Sequence, residues 1–533
     1  MKSLSAFAFF LSLIVPGYSQ INVIWGGQQV ASPKNSHITS IIGCDDTRIY
    51  TLKEKQGFWG HHPLYYLDSY SRKNLVPAGT GAFSLPRLPE RSNILERVFG
   101  REGKYQTAGM EKLLLIKGSL LLFSSYYNRN EKRNYAFVQT LTANGTPGSA
   151  YRTLDTIQAE GRHDKGNYGF ILSGNQNHIL DMYTEPGDKH VNARLSLKLF
   201  DSSMNLSWSK MLELPYAKKL FHLTRTMVDD KGDVYFLANI EKDARHTEKH
   251  KPAYHYSILS YSNERNQLRE YTIDLDDKFI SDITFRINAG GDLICAGFYS
   301  KSSESSAAGC FFLKIDKETN EVTEHTVREF AKDFLLEFMS DRKIEKGREL
   351  YNFDIGNLLL RPDGSAIMIA EQYFMDVVSY YNPASHSYNY SYHYYYNDII
   401  VLGFDAKGEI ILQKKISKYQ HSVNDGGPYA SFALADGGDM LHFIYNDNPE
   451  NTHRSETELD HGHVSSMNNP GHSVVVMVSM DMKGNTQRTQ LLDNHSHKNY
   501  SWFMPKMNKT LDSNEVILFA QKGRYFRFGR ITL

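Results

Sequence analysis

Three groups of residues in this chain have types and spacing that could do chemistry: paired histidines, aspartates in tight turns, and a dense run of tyrosines. The histidines fall as His61/His62, His246/His250, His461/His463 with His472 close behind, and His495/His497. Imidazole nitrogens hold zinc when three or four ligands are fixed in geometry and braced by a second layer of hydrogen bonds. All of these pairs sit in polar loop sequence that does not supply such rigidity, so no metal is expected. Asp363, Asp405, Asp436 and Asp481 stand in tight turns, where a carboxylate bonds its own backbone. A calcium loop needs oxygen ligands at alternate positions, and no turn here offers three.

Nothing marks a nucleophile. The chain has no G-x-S-x-G elbow, no phosphate-cradling G-x-x-x-x-G-K-[ST] loop and no dinucleotide fingerprint. No catalytic residue is assigned and no cofactor is expected. A glycosidase stays open on different grounds, because its two carboxylates come from distant parts of the chain and leave no local spacing.

The tyrosines are more specific. Tyr380, Tyr381, Tyr388, Tyr390, Tyr392, Tyr394, Tyr395 and Tyr396 fall within 17 residues. Tyr388, Tyr390, Tyr392, Tyr394 and Tyr396 share one parity, so an extended strand lines them along one face. These five are the candidate binding residues. Two roles are open to them: packing as cross-strand braces, or standing exposed as a rigid contact surface with a hydroxyl on each ring. Burial separates the two.

The elements that must position these groups come from a repeat. One phrase recurs: a strand, an Asp/Gly turn, and a second strand rich in β-branched and aromatic residues. It runs through Asp229–Asp233 into VYFLANI, Gly290–Asp292 into LICAGFY, Pro362–Ser365 into AIMIAEQYF, and Asp436–Asp439 into MLHFIYND. A worn copy spans Asp512–Glu515, and weaker ones precede RIYTL, LLLFSSY and HILDMYT. A second phrase follows, as in IIVLGFDAKGEIILQKKI from Ile399 and VVVMVSMDMKGNTQRTQLL from Val474. Together the two make a four-stranded antiparallel unit, its turns built from residues that tolerate positive φ. In the best-preserved unit the strands fall near Tyr429–Ala435, Met440–Asn446, Ser473–Met480 and Thr486–Leu492.

Equivalent turn glycines are 59, 73 and 74 residues apart from Gly232 through Gly291 and Gly364 to Gly438, with the surplus between second and third strands. This periodicity predicts an all-β chain folded as a single β-propeller of eight blades, or seven if Ser69 to Gly109 is irregular. The last copy is one strand short, and Ile21–Trp25 is expected to supply it and close the ring. Two insertions interrupt the pattern. Residues near 328–346 have helical spacing of Phe330, Phe334, Leu335, Phe338 and Met339 before Gly347, and residues near 375–397 read as the Tyr-rich hairpin, turning at Asn382-Pro383.

Residues 1–19 read as a signal peptide: Lys2, an apolar run from Leu4 to Val15, then small residues to Ser19. The expected mature domain is 20–533, secreted to the periplasm or outside, and not lipid-anchored because Gln20 rather than Cys follows the cleavage. No later apolar stretch is long enough for a membrane span. Lys plus Arg equals Asp plus Glu at 60 each, so no net field favours nucleic acid. Cys44, Cys295 and Cys310 cannot all pair; a hairpin places Cys295 opposite a residue near Lys314, not Cys310.

Glu371-Gln372-Tyr373, the run Tyr392 to Ile400 (YHYYYNDII) and Gln420 to Gly427 (QHSVNDGG) resemble an uncharacterised family of secreted bacterial proteins. The resemblance covers about the C-terminal half and implies export and repeats, with no activity attached. The expected function is an exported, non-catalytic binding or scaffold protein, its partner a protein or glycan of the envelope or extracellular space. The alternative is a carbohydrate-active enzyme with paired carboxylates in a central channel. The residues define no oligomeric state.

Overall fold

Gly232, Gly291, Gly364 and Gly438 all take positive φ, and each closes the hairpin between the first and second strands of a four-stranded antiparallel sheet. A computed structural model describes residues 23–57, 63–89, 105–242, 251–319, 321–494, 501–512 and 515–533. The signal peptide expected at 1–19 lies outside them. No helix among the described residues is long and apolar enough to cross a membrane.

The chain is all-β. Among the described residues, eight sheets of four or more strands follow one another. Sheet I opens with Ser36–Cys44, II with Gly109–Ile116, III with Gly169–Leu172 and IV with Phe221–Val228. Sheet V runs Phe279–Ile287, Leu293–Ser300, Gly309–Ile315 and Val322–Glu329. Sheet VI runs Phe353–Leu360, Ala366–Asn382, Ser387–Phe404 and Ile410–Ile416, with Gln420–Val423 on the third strand's edge. Sheet VII is Ala433–Asp436, Met440–Asp447, Val474–Asp481 and Thr486–Asp493. In sheet VIII, Trp502–Phe503 and Lys509–Asp512 lie beside Glu515–Lys522, which pairs with Tyr525–Thr532. Val23–Trp25 adds antiparallel to that last strand, Val23 opposite Ile531.

Burial explains the composition of these strands. Second and third strands are near-continuous apolar runs because both faces are covered: every residue of Leu293–Ser300 is buried, and all but one of Val474–Met480. Fourth strands such as Thr486–Asp493 lie mostly open and read polar. The core divides into eight clusters, each joining two sheets. Phe236 and Leu197 meet between III and IV, Phe311 and Ile258 between IV and V, and Phe404 and Phe312 between V and VI. The series continues through Val401 with Phe443, then Ile444 with Leu518. Phe519 and Phe528 of VIII pack with Ile38 and Ile49 of I.

Three local expectations are corrected. The helix expected near 328–346 is two single turns, Lys332–Leu336 and Asp341–Glu345. Lys415 Nζ donates to the Glu337 carbonyl at 2.6 Å, so that group is satisfied by a side chain and the helix stops there. Phe330 and Phe334 still anchor the segment in the core between V and VI. This insertion links sheets V and VI instead of lying between second and third strands. The first strand of sheet VII begins at Ala433 rather than Tyr429, because Ser431 takes φ +71° and turns the chain. As the hairpin geometry requires, Cys295 pairs with Leu313 and Cys310 with Phe298, and these two buried cysteines are free thiols.

Candidate functional site

The Asp/Gly turns are structural. Asp405 Oδ1 accepts from the amides of Lys407 and Glu409, and Asp481 Oδ1 from those of Lys483 and Asn485, each at 2.9 Å. Asp363 Oδ1 accepts from the amide and hydroxyl of Ser365. Asp436 is held by both terminal nitrogens of Arg361, at 2.7 and 2.8 Å. His461, His463 and His472 are exposed, and the other histidine pairs lie outside the described residues. No three His, Cys, Asp or Glu among the described residues gather as a metal set.

The tyrosine run is an extension of sheet VI. Its second and third strands continue beyond the sheet as a two-stranded ribbon, with Tyr373 opposite Tyr396, Met375 opposite Tyr394, Val377 opposite Tyr392 and Tyr381 opposite Tyr388. Opposed residues share a face. Lower down, that face carries Ile367, Ile369 and Val401, which pack against sheet VII. The apolar strip therefore runs on past the end of its partner sheet, and burial falls along it. Tyr396 is 7% exposed, Tyr394 is half-buried, and Tyr392, Tyr390 and Tyr388 reach 42%, 58% and 62%. The five tyrosines are thus divided, the basal ones packed and the outer three open.

At the base of the ribbon lies a cleft of about 830 Å³. Asp354 and Asn357 from the first strand of VI, Glu371 and Tyr373 from the second, Tyr396 from the third, and Lys506 from the segment entering VIII all face it. Glu371 is anchored on both oxygens: Oε1 accepts from Lys418 Nζ at 2.7 Å and Oε2 from Ser431 Oγ at 2.6 Å. Lys418 is wholly buried, and its ammonium also donates to the Tyr396 carbonyl at 2.8 Å and Gln420 Oε1 at 3.1 Å, so all three donors are used. Burial pushes the Lys418 ammonium below the usual lysine range despite the Glu371 charge beside it.

Lys506 donates to the Tyr396 hydroxyl at 2.6 Å with its ammonium 4.0 Å from the ring centroid. Asp354 sits directly across the strand pair from Glu371. Asp354 is open to the cleft, yet desolvation by the surrounding wall, and then the Glu371 charge, hold its carboxyl above the usual range. Behind it, burial pushes Asp282 up to about 6, against hydrogen bonds from the amides of Ile355 and Ile283.

The NDGG phrase braces the ribbon. Asn424 clamps Tyr392, donating its amide to the Tyr392 carbonyl at 2.9 Å and accepting the Tyr392 amide on Oδ1 at 2.8 Å. Gly427, at φ +67°, lies against the Tyr396 ring, where a Cβ would be 2.6 Å from Cε2. Only glycine lets the loop close there. The sequence singled out Tyr396 and the phrases holding Glu371, Tyr373 and Gly427. It passed over Asp354, Lys418, Ser431 and Lys506, whose neighbours in the chain form no motif.

No family model and no curated protein matches the chain. Among solved structures it is similar to the WD40 domain of SCAP from fission yeast, with a TM-score of 0.39 and 7% identity over 96% of this chain and 94% of that one. It is also similar to the β-propeller domain of the Trilobed protease from Pyrococcus furiosus, at 0.34 and 9% over 87% and 97%. A third is the polysaccharide lyase Uly1, at 0.35 and 9% over 84% and 97%. At these scores the likenesses carry no argument about mechanism or ligand.

Proposed function

We propose that the eight sheets are the blades of one β-propeller ring sealed by Val23–Trp25, and that the protein is an exported binding protein whose ligand seat is the cleft beneath the tyrosine ribbon. The cyclic order of the core clusters supports the ring, since each joins consecutive sheets and the last joins VIII to I. Export rests on the apolar leader.

One observation carries the binding reading: residues from four separate stretches converge on a cleft whose charges are largely spent within the protein. Glu371 is matched by Lys418 and Asp436 by Arg361, leaving Asp354 and Lys506 with opposite signs. A neutral polyhydroxylated ligand suits such a wall, with tyrosine faces for its ring and a carboxylate, an amide and an ammonium for its hydroxyls. Calorimetric titration with a panel of neutral oligosaccharides tests this. Binding to one of them, weakened about tenfold or more by Tyr373→Ala or Lys506→Ala, is the expected result. Silence across the panel at millimolar concentration rules the seat out.

A second reading is glycoside hydrolysis, favoured by the Asp354/Glu371 pair. Directly opposed residues on antiparallel strands hold their Cβ atoms about 5 Å apart, so the two carboxyls share one neighbourhood as catalytic pairs do, and Asp354 holds its proton more tightly than an ordinary carboxyl. Both carboxylates share one wall, however, whereas hydrolysis needs them on either side of the scissile bond. Reducing-sugar release lost in Asp354→Asn would favour this reading over binding alone.

A further inference from the structure

Beyond its base the ribbon has an open edge. The strand Ala366–Asn382 pairs with the first strand of sheet VI only as far as Gln372; from Phe374 to Asn382 its sole partner strand among the described residues is the returning arm. Sheet edges in natural proteins are blunted by lysine, proline or a bulge that turns them away from other chains. This edge has none: Asp376 is the one charged residue from Phe374 to Asn382, and no proline occurs before Pro383. Its side chains are large and exposed as well. Met375, Val377, Val378, Tyr380 and Tyr381 join Tyr388, Tyr390 and Tyr392, each about half accessible.

We propose that this edge pairs with the same edge of a second copy, making the protein a two-fold symmetric dimer through its tyrosine ribbons. Antiparallel pairing of a strand with itself is an isologous contact, so a single open edge serves as both surfaces. Centred on Val378, the pairing sets Asp376 of each copy opposite Tyr380 of the other, so the lone charges do not meet. The ribbons become one four-stranded sheet with the tyrosine faces side by side. Met375 of each copy then stands opposite Tyr381 of the other and Val378 opposite Val378, apolar cross-strand pairs that the exposed edge supplies by itself. A charged partner finds nothing to match on so neutral a surface.

Sedimentation velocity on the mature chain from about 1 to about 100 μM tests the proposal. A dimer is expected. It should become monomeric in Val378→Lys, which places two ammonium groups at the symmetry axis, with unchanged melting temperature. In Val378→Cys the two thiols face each other across the axis at strand spacing, and mild oxidation should yield an inter-chain disulfide. A wild-type monomer across the whole range overturns the dimer. So does a dimer that survives Val378→Lys, and so does failure of Val378→Cys to cross-link.

Discussion

Oε1 of Glu371 lies 2.7 Å from the ammonium of Lys418, and that lysine is completely enclosed. The pair ties the second strand of sheet VI to the segment leaving its fourth strand, and through Gln420 and Ser431 to sheet VII. Enclosure makes the arrangement all or nothing. With both partners in place every donor is used; with one removed, a polar group is stranded without water.

Glu371→Leu is therefore expected to destabilise the fold by about 3–5 kcal/mol, the cost of leaving the enclosed Lys418 ammonium without its counter-charge. Adding Lys418→Met should recover much of that loss, because an apolar pair of similar volume replaces the ionic one. Urea denaturation of the two single variants and the double variant gives the coupling. Additive losses would show that the two side chains do not depend on each other.

Gly426 and Gly427 both have positive φ, at +76° and +67°, yet only Gly427 has a neighbour where a Cβ would stand. Alanine at 426 should cost about 1 kcal/mol from backbone strain alone. Alanine at 427 should cost at least about 2 kcal/mol, adding displacement of the Tyr396 ring, and should change the near-ultraviolet circular dichroism of the tyrosines. Equal losses at the two positions would remove the steric account of the NDGG loop.

Asp181, in the second strand of sheet III, is buried with no hydrogen-bond partner for either oxygen. Burial first, and then the charge of Asp155, raise its carboxyl well above the ordinary range against the pull of Lys198. A raised folded value means that its stability contribution is complete below the unfolded value near 3.8 and is lost as pH climbs through the folded one. Asp181→Asn should thus match the wild type in acid and become progressively more stable than it as pH rises above the unfolded value near 3.8. Thermal melts across pH check this; a constant difference between the two proteins would refute it.

Much of the architecture was legible in the chain. Asp/Gly turns demand positive φ and so mark the first hairpins of sheets IV to VII; alternation and β-branching mark the strands on either side; and the parity of Tyr388 to Tyr396 placed one aromatic face correctly. These are short-range consequences of backbone sterics and of the two-residue strand period, fixed by residues within a few positions of each other. The broken helix at 332–345 was not legible, because Lys415, some 80 residues away, takes the carbonyl that would have continued it.

The cleft belongs wholly to tertiary structure. Asp354, Tyr396, Ser431 and Lys506 span about 150 residues and meet only because sheets VI, VII and VIII stack. Which tyrosines of the ladder are buried was likewise decided in space, since Tyr396 is covered by Lys506 and Gly427 while the outer three stand open. The sequence alone determined a repeated β unit with an aromatic ribbon, because local sterics and periodicity act along the chain. Packing of one sheet on the next decided that Lys418 is enclosed, that Glu371 is held and that the Asp354 carboxyl is shifted upward, because burial and Coulomb energy act across it.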